Sequence, residues 1–356
     1  MCVFLVQRSR GRLGNSVARV TIIGAGDMGT ALVTPLHHNQ HEIVLAGTVR
    51  DDVIVRTLQA GEPHPRLGVP VPGGVRVVAS DETEAALSCA DIVVLAITSN
   101  AVRLVLEHLQ PVFGQPKVVI TVAKGFDTGS ASGEIRLLPE TIANFSASPV
   151  VAVGGPSKAN EVASGTPTSV VFGSPHSAAL AYAQHCFAAP AYHVHPTADI
   201  VGLEVAAAMK NAYAIALGIP DGLEQRFGRP FHNLRAALFP LAVHEMCVLA
   251  SLLGGQPETV RGLAGAGDLL VTITSGRNRL LGERIGLGQP AADAIADLTA
   301  SDTTVEGYPA VALSHRLAES SIAAGHIATG DLSLLDATWR ILYQNADAEA
   351  ALLRVV

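Results

Sequence analysis

Along its first two hundred residues the chain alternates between short apolar runs and longer stretches with helical spacing. The runs fall at residues 17–23, 42–46, 75–78, 92–96, 118–122 and 150–153, and all are rich in Val and Ile. They show almost no polar alternation. Strands that are apolar on both faces belong to a parallel sheet covered by helices on each side. Residues 170–172 and 192–194 extend the same sheet to residue 197. Beyond Asp199 the texture changes: residues 201–217, 234–253, 276–285 and 331–345 carry helical spacing with few β-branched clusters. The pattern therefore predicts an α/β part over residues 18–198 and an all-helical part over 199–356. Residues 1–17 read as a frayed extension.

The first apolar run ends in Gly24-Ala25-Gly26-Asp27-Met28-Gly29 and leads directly into a helix. Each glycine of such a turn has a separate task. Gly24 allows the tight exit from the strand, Gly26 lets a pyrophosphate approach the backbone, and Gly29 lets helix and strand pack closely. The free N–H groups and positive dipole end of the helix then hold phosphate. A glycine turn alone can be an empty strand-to-helix connection. Here it sits first in a βαβ run, the context that marks a dinucleotide site. The α/β part is thus a Rossmann-type, doubly wound, mostly parallel sheet that binds NAD(P). At the tip of the second run stand Thr48 and Arg50, with Asp51 and Asp52 further out as acids at a helix start. An Arg near the ribose suits a 2′-phosphate, so the choice leans toward NADP.

Composition narrows the partners. Of 356 residues, 49% are hydrophobic and 15% charged, which suits a buried core, and the formal net charge of −7 disfavours nucleic acid. Cys2, Cys89, Cys186 and Cys247 are scattered, as reduced thiols of a cytoplasmic protein would be, and neither they nor the histidines show metal-ligand spacing. No metal is expected. Near the start, residues 3–6 are apolar but precede Arg8, Arg10 and Arg12, the wrong order for a secretory signal. No continuous apolar run reaches the roughly 18 residues of a membrane span.

Four stretches carry candidate chemistry. Lys124 follows the fifth run, and Gly155-Pro156-Ser157 the sixth, where ligands collect at the carboxyl ends of a parallel sheet. Ser157 is a candidate N-cap, with Glu161 one turn into the following helix. Lys210 shares a helix face with Leu203, Ala206, Tyr213 and Leu217. On that face it either snorkels to the surface or is desolvated, which would lower its pKa. Glu204 and Asn211 lie two turns apart on an adjacent face, within reach of one cleft. Asp268 stands in an apolar stretch where a lone carboxylate needs a cation, and Lys210 is the obvious partner. Thr274, Ser275 and Gly276 can start a helix whose first turn bears Arg277 and Asn278, a fork for phosphate oxygens.

Taken in order, these segments resemble the soluble NAD(P)-dependent sn-glycerol-3-phosphate dehydrogenase family. The resemblance runs through residues 23–31, 122–125, 155–162, 208–211, 218–223, 263–269, 276–279 and 305–307. It implies reversible hydride transfer between dihydroxyacetone phosphate and glycerol 3-phosphate, the backbone precursor of membrane lipids. Lys210 matches the proton-transfer lysine, while Lys124 and Asp268 match residues that orient substrate and lysine. Arg277 with Asn278 matches the phosphate grip, which Gly155 and Ser157 adjoin. Thr272 and Asn211 match supporting polar contacts, and Glu306, like Lys124 and Arg277, a cofactor-side position. Ala207-Ala208-Met209 departs from the family's usual Gly-Ala-Leu. Residues 224–235, with Phe227 and Phe231, read as a local variant lining the cleft. The alternatives are the same chemistry on another phosphorylated ketone or aldehyde, and a non-catalytic cofactor sensor. The Ala-rich helical half could supply a homodimer contact.

Overall fold

A computed structural model describes residues 17–127, 135–301 and 303–356. Apart from Val17, the N-terminal extension lies outside the described residues. The strands are β1 (Arg19–Ile23), β2 (Glu42–Ala46), β3 (Arg76–Val78), β4 (Ile92–Leu95), β5 (Val118–Thr121), β6 (Phe126–Asp127), β7 (Arg136–Leu137), β8 (Val150–Gly154), β9 (Thr168–Gly173) and β10 (Tyr192–Thr197). Eight of them form one sheet in the order β10-β9-β8-β5-β4-β1-β2-β3, and β6 with β7 makes a separate antiparallel ribbon. The ribbon has no counterpart in the apolar pattern, because two-residue strands leave no periodicity to read.

Every neighbouring pair in the large sheet is parallel except β8 with β9. Register brings the carboxyl ends to a common edge: Ile23 lies beside Ala46 and Leu95, Leu95 beside Thr121, and Thr121 beside Ala152. The loops carrying Gly24, Thr48, Lys124 and Gly155 all leave from that edge. Apolar residues fill both faces, with Val20, Ile22, Val94 and Ile120 on one and Ile23, Val93, Leu95 and Val119 on the other.

The sheet ends at Thr197 and the helical part begins at Ile200. Its axis is a helix of 28 residues, Ile200–Phe227, buried from Gly202 to Pro220 without a break. Sequence spacing ends this helix at residue 217, but it continues through Pro220. A proline removes one backbone donor from a helix interior. Packing all round the helix and a left-handed Gly228 at its end outweigh that loss. Among the described residues, the helices Pro257–Arg261, Asp268–Thr274, Ala291–Ala300, Gly307–Ala323 and Ala348–Leu353 escaped the sequence reading. Two helices, Ile200–Phe227 and His232–Leu252, are long and apolar enough to cross a membrane by length and composition. The apolar window of the first is 89% buried inside the protein, as a core helix must be.

The long helix is held most closely by Arg277–Gly286, which runs alongside it in the same direction. Gly218 and Gly222 on one helix face Gly282 and Gly286 on the other. A Cβ on Gly282 would overlap the carbonyl of Ile215, and one on Gly286 the carbonyl of Ile219. Conversely, a Cβ on Gly218 would strike the carbonyl of Arg279, and one on Gly222 that of Glu283. Backbone therefore packs on backbone. Asp221 adds ion pairs to Arg235 and Arg279, tying a third helix to the pair.

Candidate active site

At the sheet edge, Gly24 has φ +105°, and a Cβ there would collide with the Ala96 carbonyl. A Cβ on Gly29 would overlap the Gly24 carbonyl, so close packing of strand and helix needs both glycines. Gly26 is different: among the described residues, its own chain neighbourhood aside, no atom comes closer than 3.9 Å to where its Cβ would stand. That open space lies at the start of the helix Asp27–His38, whose N-cap makes no side-chain hydrogen bond. Uncapped N–H groups beside open space fit a pyrophosphate.

Two side chains outside the glycine pattern shape this mouth. Arg66 donates from Nε to Asp27 Oδ1 at 2.7 Å, and one of its terminal nitrogens is the atom 3.9 Å from the Gly26 position. The guanidinium offsets a carboxylate that would repel phosphate. The wholly buried His64 orders the Arg66 loop, its Nδ1 accepting the N–H groups of Arg66 and Leu67 at 3.2 Å. Its ring pKa is lowered by burial, partly offset by Asp27. An Arg in a Pro- and Gly-rich loop has no spacing signature, so sequence reasoning could not find it.

At the tip of β2, Asp51 is more than an acid at a helix start. Its Oδ2 accepts the Thr48 N–H and hydroxyl, each at 2.8 Å, and the Ala25 N–H at 3.2 Å. The carboxylate thus ties the strand tip to the glycine turn, while Arg50 stays exposed.

Sheet and helices meet at Asp268, which is 1% exposed. Lys210 Nζ donates to Asp268 Oδ1 at 2.5 Å and to Thr272 Oγ1 at 3.0 Å. Lys124 reaches the other oxygen, Asp268 Oδ2, at 2.7 Å and also donates to the Gly155 carbonyl at 3.2 Å. One buried carboxylate therefore serves two ammonium groups, one from each half of the chain. Sequence reasoning paired Asp268 with Lys210 alone. Asp268 opens its helix out of a short π-helical turn, Leu263–Gly267, where Gly265 lies against the Val260 carbonyl.

Lys210 does not snorkel. It is 6% exposed, and burial drives its pKa down to about 8, with Asp268 opposing the fall and Lys124 adding to it. Next along the helix, the Asn211 side chain donates to Glu306 Oε2 at 3.2 Å and accepts from the Asn278 amide at 3.0 Å. Asn278 is buried and also accepts the Gly307 N–H at 2.9 Å, so both ends of its amide are engaged within the protein. Burial raises the Glu306 carboxyl, against the pull of Arg277, Lys210 and Lys124. Arg277 is exposed in the first turn of its helix.

Other expectations are redrawn. Lys158, not Ser157, occupies the N-cap position of Ala159–Ala163, and it makes no side-chain cap. The Ser157 hydroxyl instead faces Met28 Sδ at 4.0 Å, across from the glycine turn. Glu204 is buried, but neither of its oxygens has a hydrogen-bond partner among the described residues, and its pKa rises through burial to about 8 despite Lys124. Phe227 ends the helix that bears Lys210, about 25 Å away at 1.5 Å per residue, so it does not line this cleft. Phe231 packs instead into the helical core.

Family models match both halves: the NAD-dependent glycerol-3-phosphate dehydrogenase N-terminus over residues 19–180 and the corresponding C-terminus over 199–353. The chain belongs to the NAD-dependent glycerol-3-phosphate dehydrogenase family. Within it, the chain is 34% identical to an NADP(+)-dependent glycerol-3-phosphate dehydrogenase of Archaeoglobus fulgidus, covering 94% of this chain and 98% of that protein. The glycerol-3-phosphate dehydrogenase [NAD(P)+] of Chlorobium phaeobacteroides is likewise 34% identical, over 94% and 96% of the two chains. Among solved structures, the glycerol-3-phosphate dehydrogenase of Coxiella burnetii superposes with a TM-score of 0.80 at 29% identity, covering 95% of this chain and 98% of that one. The Plasmodium falciparum enzyme, at 18% identity and TM-score 0.82 over 96% and 95%, shares the fold. The family's two halves meet here at Asp268, the residue that joins Lys124 to Lys210.

Proposed function

We propose that this chain interconverts dihydroxyacetone phosphate and sn-glycerol 3-phosphate with NAD(P)H. The observation that carries the reading is the Lys210–Asp268–Lys124 triad, with Lys210 and Asp268 buried, beside an open dinucleotide turn. When bound, the nicotinamide supplies the hydride. Everything else falls to the protein. Ketone reduction builds negative charge on the carbonyl oxygen, and Lys210, as an ammonium, stabilises that charge and then delivers its proton. Asp268 holds Lys210 in place and keeps part of it charged in a dry site. Lys124 shares the carboxylate, which leaves the triad with a net positive charge facing an anionic substrate.

Arg277 is the phosphate grip in this reading. Binding the remote phosphate orients the carbonyl, so that affinity is converted into alignment. Asn278 acts one step back, holding Asn211 and, through it, Glu306. For the cofactor, exposed Arg50 and an Asp51 already engaged with Thr48 and Ala25 favour a 2′-phosphate, hence NADP. The test is a spectrophotometric assay of purified protein with dihydroxyacetone phosphate and either reduced cofactor. Turnover with both, and a lower KM for NADPH, is expected. No turnover above background with either cofactor overturns the reading.

A further inference from the structure

The chain has only four lysines, Lys117, Lys124, Lys158 and Lys210. Three of them are paired with carboxylates: Lys117 with Asp91, and Lys124 and Lys210 with Asp268. Lys158 has no carboxylate among the described residues. Its Nζ instead crosses from the loop after β8 to the helical half, donating to Ser275 Oγ at 2.8 Å and to Thr274 Oγ1 at 3.1 Å. Two neutral hydroxyls solvate an ammonium but leave its charge uncompensated. The Thr274 hydroxyl is itself committed as a donor to the Val271 carbonyl at 2.7 Å.

The place where this charge rests matters. Ser275 and Gly276 lead directly into the helix that begins at Arg277, and the loop bearing Lys158 also supplies Gly155, the carbonyl acceptor of Lys124. An uncompensated cation has thus been brought from the sheet half to the entrance of the phosphate grip. A phosphate monoester is close to a dianion at neutral pH, and Arg277 alone answers one of its charges.

We propose that Lys158 is a second phosphate-binding side chain for the substrate, which rests on Ser275 and Thr274 and moves onto the phosphate oxygens when substrate enters. The grip then draws one cation from each half of the chain, so that binding the phosphate also draws sheet and helices together. This inference rests on the assignment of Arg277 as phosphate grip.

The test compares K158M, K158R and R277A by steady-state kinetics, competitive inhibition by inorganic phosphate, and thermal melting. For K158M the expected result is a rise in KM for dihydroxyacetone phosphate of about tenfold or more, the usual scale for a lost charge-assisted hydrogen bond. The inhibition constant for inorganic phosphate should rise in parallel, with kcat and the cofactor KM changed less than about twofold. K158R should recover part of the loss. Three results would overturn the proposal: an unchanged substrate KM, a rise confined to the cofactor KM, or a fall in kcat and melting temperature with phosphate inhibition intact. The last would make Lys158 a brace between the halves. R277A separates the two readings. If it raises the substrate KM and K158M does not, only the present proposal fails; if R277A has no effect, the phosphate grip itself is misassigned.

Discussion

Two lysines share one carboxylate in this site, and the sharing modulates a Lys210 titration that burial dominates. Burial lowers its pKa to about 8 even though Asp268 favours the charged form, and the second positive charge of Lys124 on the same oxygen pair adds to the fall. Reduction needs the ammonium and oxidation needs the amine. kcat/KM for dihydroxyacetone phosphate should therefore fall above about pH 8, while the oxidative rate climbs across the same interval. A pH profile in both directions checks this, and a reductive rate still flat at pH 9.5 would remove Lys210 from proton transfer. K210A should lower kcat by a factor on the order of 100 or more and leave cofactor binding, followed by fluorescence titration, intact.

At the scale of elements, the strands and the glycine turn were legible because a parallel sheet writes itself as unbroken Val and Ile runs. Lys210, Asp268 and Arg277 were legible as charges in apolar or helix-start settings. Other features left no local trace. The long helix is buried on every side, so it has no polar stripe to mark its limits, and Pro220 argues locally for a boundary that tertiary packing overrides. The Lys124–Asp268 pair spans 144 residues and the Lys158 contacts 116 and 117, distances no spacing rule covers. The crossing of the long helix with Arg277–Gly286 was equally hidden, since its four glycines sit in two distant segments. It is nonetheless what brings Asn278 against Asn211. G282A should cost about 1–3 kcal/mol through overpacking against the Ile215 carbonyl. It should also raise the KM for substrate, because displacing that helix displaces Arg277. A melting temperature and KM equal to the parent's would show that the helices do not depend on this contact.

For the molecule as a whole, buried acids make stability depend on pH in an uncommon direction. Glu204 is raised to about 8 and Glu245 to about 7, both through burial. Glu245 is the better served, accepting the Tyr213 hydroxyl and the N–H groups of Leu334 and Leu335 at the start of the helix Ser333–Gln344. In the unfolded chain both acids ionise near the ordinary value of 4.5. Between that value and their folded pKa the native state holds more protons than the unfolded one, so their contribution is full below about pH 4.5 and declines toward pH 7–8. Lys210 has the opposite sign: its lowered pKa weighs against folding below about 8, and the penalty fades as pH rises to the unfolded value of 10.5. E204Q removes one acid without changing its shape. It should raise the melting temperature at pH 8.5 and have a smaller effect at pH 5; equal shifts at both pH values would show that Glu204 does not titrate in the folded protein.

The backbone-to-backbone crossing has a consequence for which molecules can react. Lys210 lies within the long helix and Arg277 opens the helix beside it, and where the two cross their separation is set by glycines and carbonyl oxygens. With the roles proposed for Lys210 and Arg277, the span from proton donor to phosphate anchor is a ruler set by the main chain. Changing the side chains that line the cleft alters how tightly a compound is held, but leaves the ruler unchanged. A substrate whose carbonyl lies several bonds farther from its phosphate does not fit the scale, and admitting it would require new glycine positions, not new polar contacts.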